Sequence, residues 1–206
     1  GRYPHQNGDG GNLWSEFPNA NPTYVQILEV DGYFTGSTRK GWGPGEYQVT
    51  GFSHNPAGKS FEDFESFLTE RPKDQPFTFW FGSTDPHREY VPNTGIQSGM
   101  KLQNVKVPDF FPDNDCVRND ILDYYFEIER FDRESGQLIA MLQEMGEMDN
   151  TIIVMTSDNG MPFPRAKANL YDYGTRMPLA IRWPEKVQAG TIIHDFVDFA
   201  PSFVEA

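Results

Sequence analysis

One cysteine, four histidines, and 17 basic against 30 acidic side chains leave several chemistries without material in these 206 residues. A lone thiol, Cys116, forms no internal disulfide, no CxxC pair and no zinc cluster, so cysteine usage assigns no compartment. As a nucleophile Cys116 lacks a histidine nearby in sequence; a partly buried structural thiol at a helix start is the expected role. A net charge of −13 opposes general binding to nucleic acid or to an anionic membrane, and solubility accounts for most of these acids. No apolar run reaches the ~18 residues of a membrane span. GxSxG, HExxH and phosphate-cradling glycine motifs are all missing. The chain opens on Gly1 without a signal peptide and closes on 201–206, which reads as a helix cut short; a fragment or processed product is expected.

What is present is a packed α/β pattern. Hydrophobic residues make up 37% and aromatics 15%, enough for one sizeable domain and too many for global disorder. Thr23 is positioned to cap a short helix to Val30, and 33–36 reads as a short strand. Ser60 is expected to cap a second helix running to Glu70, with Phe61, Phe64, Phe67 and Leu68 on one face. The run FTFWFG over 77–82 has the pattern of a strand buried on both faces. Residues 90–115, rich in Pro and Asn, read as a long surface segment. From about Cys116 to Met145, Val117, Ile121, Tyr124, Ile128, Phe131, Leu138, Leu142 and Met145 trace one apolar helix face, stopped by Gly146. Buried strands are expected at 151–156 and 178–183. Strand, long helix, strand predicts a crossover unit of a largely parallel sheet with flanking helices.

Polar residues gather where these strands end. Ser157-Asp158-Asn159-Gly160 follows a strand directly, and its carboxylate and carboxamide offer hard oxygen ligands of the kind Ca²⁺ or Mg²⁺ takes. The same tripeptide also suits an ordinary turn. Asp85-Pro86-His87-Arg88 follows FTFWFG; His87 can give a proton to a leaving group and Arg88 can grip an anion, or the segment is a solvated turn. Lys167 and Arg176 lie downstream of Asp158 and suit an oxyanion, or form a solvated basic patch. Lys40 sits in a loop where Gly41, Gly43 and Gly45 allow close backbone approach to a ligand; a solvated lysine is the plainer reading. Trp42 in that loop is a sugar-stacking platform or a loop anchor.

Taken together, the motifs resemble the sulfatases of the alkaline-phosphatase superfamily, the heparan N-sulfatase (sulfamidase) type and its bacterial relatives above all. Gly1-Arg2-Tyr3-Pro4-His5-Gln6-Asn7-Gly8 is similar to the segment that follows the sulfatase active-site signature. Lys40 is similar to the lysine of the family's Gly-Lys-x-His loop. Asp85-Pro86-His87-Arg88, Ser157-Asp158-Asn159-Gly160, Pro162-Phe163-Pro164 and Asn169-Leu170-Tyr171 follow in the family's order. The resemblance implies an alkaline-phosphatase-like α/β sheet, incomplete at both ends. It implies that 1–206 is part of a single catalytic domain, without the nucleophile segment and the C-terminal subdomain. Asp158 and Asn159 would be ligands of one Ca²⁺; Lys167 would hold a sulfate oxygen; His87 would contact sulfate and assist the leaving group; Lys40 would bridge nucleophile and sulfate. Arg88, Trp42 and Arg176 would contact a sulfated carbohydrate. The nucleophile would be formylglycine, made from Cys or Ser in a Cys/Ser-x-Pro/Ala-x-Arg signature, and export to the periplasm or outside the cell is the family expectation.

Two departures stand out. The formylglycine signature is absent from the chain, and Cys116 has no Pro or Arg at the required spacing, so the segment by itself is expected to be inactive. The histidine of the lysine loop has no counterpart, because Trp42 stands at its spacing and Arg39 replaces the preceding glycine. A phosphoester hydrolase of the same fold and a non-catalytic glycan-binding remnant are the alternatives. Metal-rich phosphatases use many histidines, and only His87 among the four here ends a strand.

Overall fold

In the computed structural model, which describes residues 4–20 and 22–195, α-helices accompany pairs of strands and the expected α/β class holds. The arginine and tyrosine of the opening motif and the helix expected at 201–206 lie outside the described residues. Among the described residues two compact units divide the chain, one of 4–84 with 194–195 and one of 85–193.

The first unit carries β1 (Ser15–Glu16), α1 (Tyr24–Val30), β2 (Phe34–Arg39), β3 (Gly45–Glu46), α2 (Phe64–Glu70) and β4 (Phe77–Gly82). Thr23 caps α1 as expected: its hydroxyl accepts from the Gln26 N–H while the Gln26 side chain accepts from the Thr23 N–H. The second helix starts later than expected, because Asp63 rather than Ser60 accepts the N–H of Ser66 at 2.8 Å. Strand β2 is longer than the expected 33–36, since all six of its residues pair in parallel with β4. β1 and β3 are also parallel. β4 is not buried on both faces. Phe64 and Phe67 of α2 cover one side, with Phe79 centred 4.8 Å from each ring. Trp80, which alternates to the other side, is 45% exposed.

The second unit carries α3 (Thr94–Gln97), α4 (Asp115–Glu144), β5 (Ile153–Thr156), α5 (Asp172–Thr175) and β6 (Leu179–Arg182). Asn114 caps α4 and Gly146, at φ +72°, stops it. Its 30 residues extend about 45 Å. The apolar face is narrower than its periodicity suggests. Ile121, Leu122 and Leu142 are buried, whereas Ile128 and Met145 are exposed. Asp123 and Glu127, at 3% and 5% exposure, interrupt it with buried carboxyl groups. Residues 90–115 are more than surface: Tyr90, Met100, Leu102, Val105 and Phe111 pack with Ile121, Leu122 and Phe163 into the unit's core. Cys116 starts α4 as expected, yet its thiol is exposed. β5 is half-buried rather than buried, and it pairs antiparallel with β6, so 178–183 departs from the parallel expectation. The two strands of the expected crossover, β4 and β5, fall in different units.

Candidate active site

Two loops of the second unit carry most of the candidate residues, and Arg88 joins them. Its Nε donates to the carbonyl of Pro162 at 2.9 Å, and its guanidinium carbon lies 4.6 Å from the centre of the Phe163 ring. Pro162 stands four residues beyond Asp158, so the loop of His87 is tied to the loop of Asp158 and Asn159. The guanidinium carbon also lies 4.7 Å from the centre of the Tyr90 ring. Nη1 and Nη2 donate to Oδ1 and Oδ2 of Asp120 on α4, at 2.9 and 2.6 Å. This bidentate pairing raises the Arg88 pKa further above its ordinary value.

His87 is exposed, and its Nδ1 contacts the Arg88 carbonyl. A carbonyl only accepts, so Nδ1 carries the hydrogen in this contact and Nε2 is the nitrogen left to exchange a proton. At the head of the same turn Asp85 is gripped by Arg130, whose Nε and Nη2 each donate at 2.5 Å. Arg130 Nη2 also reaches Glu127.

β5 delivers Ser157 to Gly160 at its carboxyl end. Asp158 is exposed, and its carboxylate has no partner among the described residues. Asn159 is half-buried; its Nδ2 donates to the Gly160 carbonyl at 2.9 Å, which leaves Oδ1 as an uncommitted acceptor. Gly160 is buried because the carbonyl of Tyr173 comes against it: a methyl group there would lie 1.8 Å from that oxygen. The glycine therefore serves close packing of the loop and not a turn with positive φ. Main-chain bonds fold the loop back, with Gly160 N–H donating to Gly174 at 3.2 Å and Lys167 N–H to Met161 at 3.1 Å. The Lys167 main chain is thereby tied to Met161, and the residue is half-buried and without an ion-pair partner among the described residues. Arg176 follows α5 and is exposed.

Lys40 and Trp42 belong to the first unit. Lys40 is exposed where β2 ends, its main chain bonded to Gly82 and to the Trp80 indole, both at 2.9 Å. Trp42 is half-buried, held by Asn55 at its N–H and carbonyl and packed edge-on against Phe17 at 5.0 Å. Of its two readings, the ring occupies the place of a loop anchor. His54 is engaged at both ring nitrogens, with Glu29 at 2.9 Å and the Asn55 carbonyl at 3.0 Å.

Sequence reasoning missed Asp120, Glu127 and Arg130. Their spacing of seven and three puts them on one face of α4, a signal visible in the sequence beside the apolar positions.

The sulfatase family model matches residues 58–206. An ulvan-active sulfatase of Formosa agariphila is 37% identical over 101 residues, covering 48% of this chain and 17% of that protein. The human N-sulphoglucosamine sulphohydrolase is 32% identical over 133 residues, covering 54% of this chain and 26% of that protein. The aligned parts thus span about a quarter or less of either relative's length. A solved structure from work on the metabolism of multiple glycosaminoglycans by Bacteroides thetaiotaomicron superposes with a TM-score of 0.70 at 15% identity, covering 90% of this chain and 53% of that one. That likeness shows a shared α/β fold.

Proposed function

Because the chain belongs to the sulfatase family, we propose that the full-length protein hydrolyses sulfate esters or sulfamates on a sulfated sugar or glycosaminoglycan. The observation that carries this reading is the Arg88 bridge, Nε to the Pro162 carbonyl at 2.9 Å with Phe163 under the guanidinium. It ties a candidate proton donor, His87, to the loop of two oxygen ligands and a cation. The names of the relatives, ulvan-active sulfatase and N-sulphoglucosamine sulphohydrolase, support a carbohydrate substrate. Both units are read as parts of one catalytic domain, in a protein exported to the periplasm or beyond.

The donors fit a hard cation in kind. The Asp158 carboxylate and the Asn159 Oδ1 are both oxygens without a competing partner among the described residues. They supply part of a coordination shell, since no group of three His, Cys, Asp or Glu among the described residues stands ready to complete it. Bound to these two residues, Ca²⁺ would polarise a sulfate oxygen. The family's formylglycine would supply the attacking hydroxyl, from a signature that residues 1–206 do not contain.

This chain's own residues do the remainder. The Lys167 ammonium offsets charge on a sulfate oxygen; for Lys40, which belongs to the first unit, the role toward sulfate and nucleophile rests on the family resemblance alone. In its doubly protonated form, with Nδ1–H held by the Arg88 carbonyl, His87 delivers the Nε2 proton to the bridging oxygen or nitrogen as the bond to sulfur breaks, and is left neutral with its hydrogen on Nδ1. Arg88 keeps two of its five N–H groups beyond those given to Asp120 and Pro162, and these face substrate anions. Arg176 is assigned to substrate contact, and Trp42, packed against Phe17 and held by Asn55, is read as the anchor of its loop.

The test is sulfate release from a panel of sulfated saccharides by the full-length, formylglycine-matured protein, with phosphate esters run beside it. Release that stops with a calcium chelator and returns with Ca²⁺ supports the proposal. Turnover of phosphate esters alone, or glycan binding without turnover, contradicts it.

A further inference from the structure

The Asp85–Arg88 turn is held at both ends by α4 through ion pairs of opposite sense. Arg130 grips the Asp85 carboxylate with two nitrogens, and Asp120 grips the Arg88 guanidinium with two oxygens. Asp120 and Arg130 stand ten residues apart, about 15 Å along the helix. Pro86 and His87 lie between the two clamps. A bidentate pair fixes direction as well as distance, because two parallel bonds admit one plane.

The Asp120 clamp reaches His87 through a short path. Asp120 fixes the guanidinium, which also lies over the Tyr90 and Phe163 rings and donates from Nε to the Pro162 carbonyl. Pinning the side chain fixes the Arg88 main chain, and the Arg88 carbonyl is the acceptor of His87 Nδ1–H. A purely stabilising role accounts poorly for this arrangement. Arg88 and Asp120 are 37% and 41% exposed, and pairs so open to water contribute little to stability.

We propose that Asp120 is a positioning residue that sets the tautomer and aim of His87, with Arg130 fixing the far end of the turn through Asp85. The inference rests on His87 as the leaving-group acid proposed above. It parallels the way a carboxylate or carbonyl behind a histidine fixes which ring nitrogen faces the chemistry.

The experiment uses the full-length enzyme labelled with ¹⁵N-histidine, in wild-type form and as Asp120→Asn and Asp120→Glu. The expected wild-type spectrum gives His87 protonated at Nδ1 when neutral. Asp120→Asn is expected to mix the two tautomers and to lower kcat about tenfold to a hundredfold with KM held within about twofold. Asp120→Glu is expected to recover the Nδ1–H tautomer and most of kcat. An Asn variant with the wild-type tautomer and wild-type kcat overturns the proposal. Should Asp120→Asn fail to fold, Arg88→Lys, which keeps the charge and loses the fork, is read by the same two outcomes. If no form releases sulfate, the ring spectrum still decides the positioning claim, and the failure then belongs to the sulfatase reading alone.

Discussion

Asp85 and Glu127 meet on a single nitrogen: Arg130 Nη2 donates to both carboxylates, whose side chains are each 6% exposed. Two buried acids and one cation leave one negative charge in excess. The strain falls on Glu127, which burial, then the Asp85 carboxyl beside it, push up to about 7 against the opposing pull of Arg130.

That shift predicts a pH-dependent stability. The folded state holds the Glu127 proton where the unfolded chain, with an ordinary value of 4.5, has released it. The contribution is therefore complete below about pH 4.5 and is lost as pH rises through about 7. Denaturant melts of wild type and Glu127→Gln between pH 5 and 8 are expected to diverge: the wild type weakens with rising pH, while the Gln variant changes less. Parallel curves for the two proteins would remove Glu127 as the source.

A second prediction concerns the seat of α3 on α4. Asp123, 3% exposed, accepts the main-chain N–H groups of Asn93 and Gly95 at 2.9 Å each. Asp123→Ala strands those donors and is expected to cost about 3 kcal/mol in a denaturant melt. Gly95 abuts the main chain of Leu122, and an added methyl would lie 2.5 Å from its carbonyl carbon and oxygen. Gly95→Ala is expected to cost about 1–3 kcal/mol, because α3 must shift. A neutral effect of both changes would mean that this contact carries no stability.

The exposed Cys116 gives a third prediction. Its thiol is accessible at the start of α4 and is remote in role from the proposed chemistry. Maleimide is expected to label it in the folded protein, and Cys116→Ser is expected to keep sulfate release. Loss of turnover in Cys116→Ser would make the thiol part of the reaction.

Much of this was legible in the sequence for local reasons. The capping box of α1, the run of β4 and the ends of α4 follow from residues within one turn of each other. What escaped was tertiary. Asp63 displaced Ser60 as the cap of α2, because only Asp63 pairs reciprocally with Ser66. β6 reads as a strand, but nothing in its apolar pattern says that it runs antiparallel to β5. His87 and Asp158 were recognisable as residue types that carry chemistry. The partner that joins their loops was not, because Arg88 reaches a carbonyl, and carbonyls have no sequence signature. The spacing of Asp120 and Arg130 marks a shared helix face, but what lies against that face is tertiary and has no sequence signature.

The central claim is that His87 and Asp158 serve one sulfate-releasing site. The most direct test is sulfate release by the full-length, formylglycine-matured protein beside His87→Ala and Asp158→Ala, on the saccharide that the wild type turns over best. The account predicts that kcat falls at least about a hundredfold in each variant, and that excess Ca²⁺ recovers part of the loss in Asp158→Ala and none in His87→Ala. Turnover in either variant at the wild-type rate, with the fold intact, would contradict it.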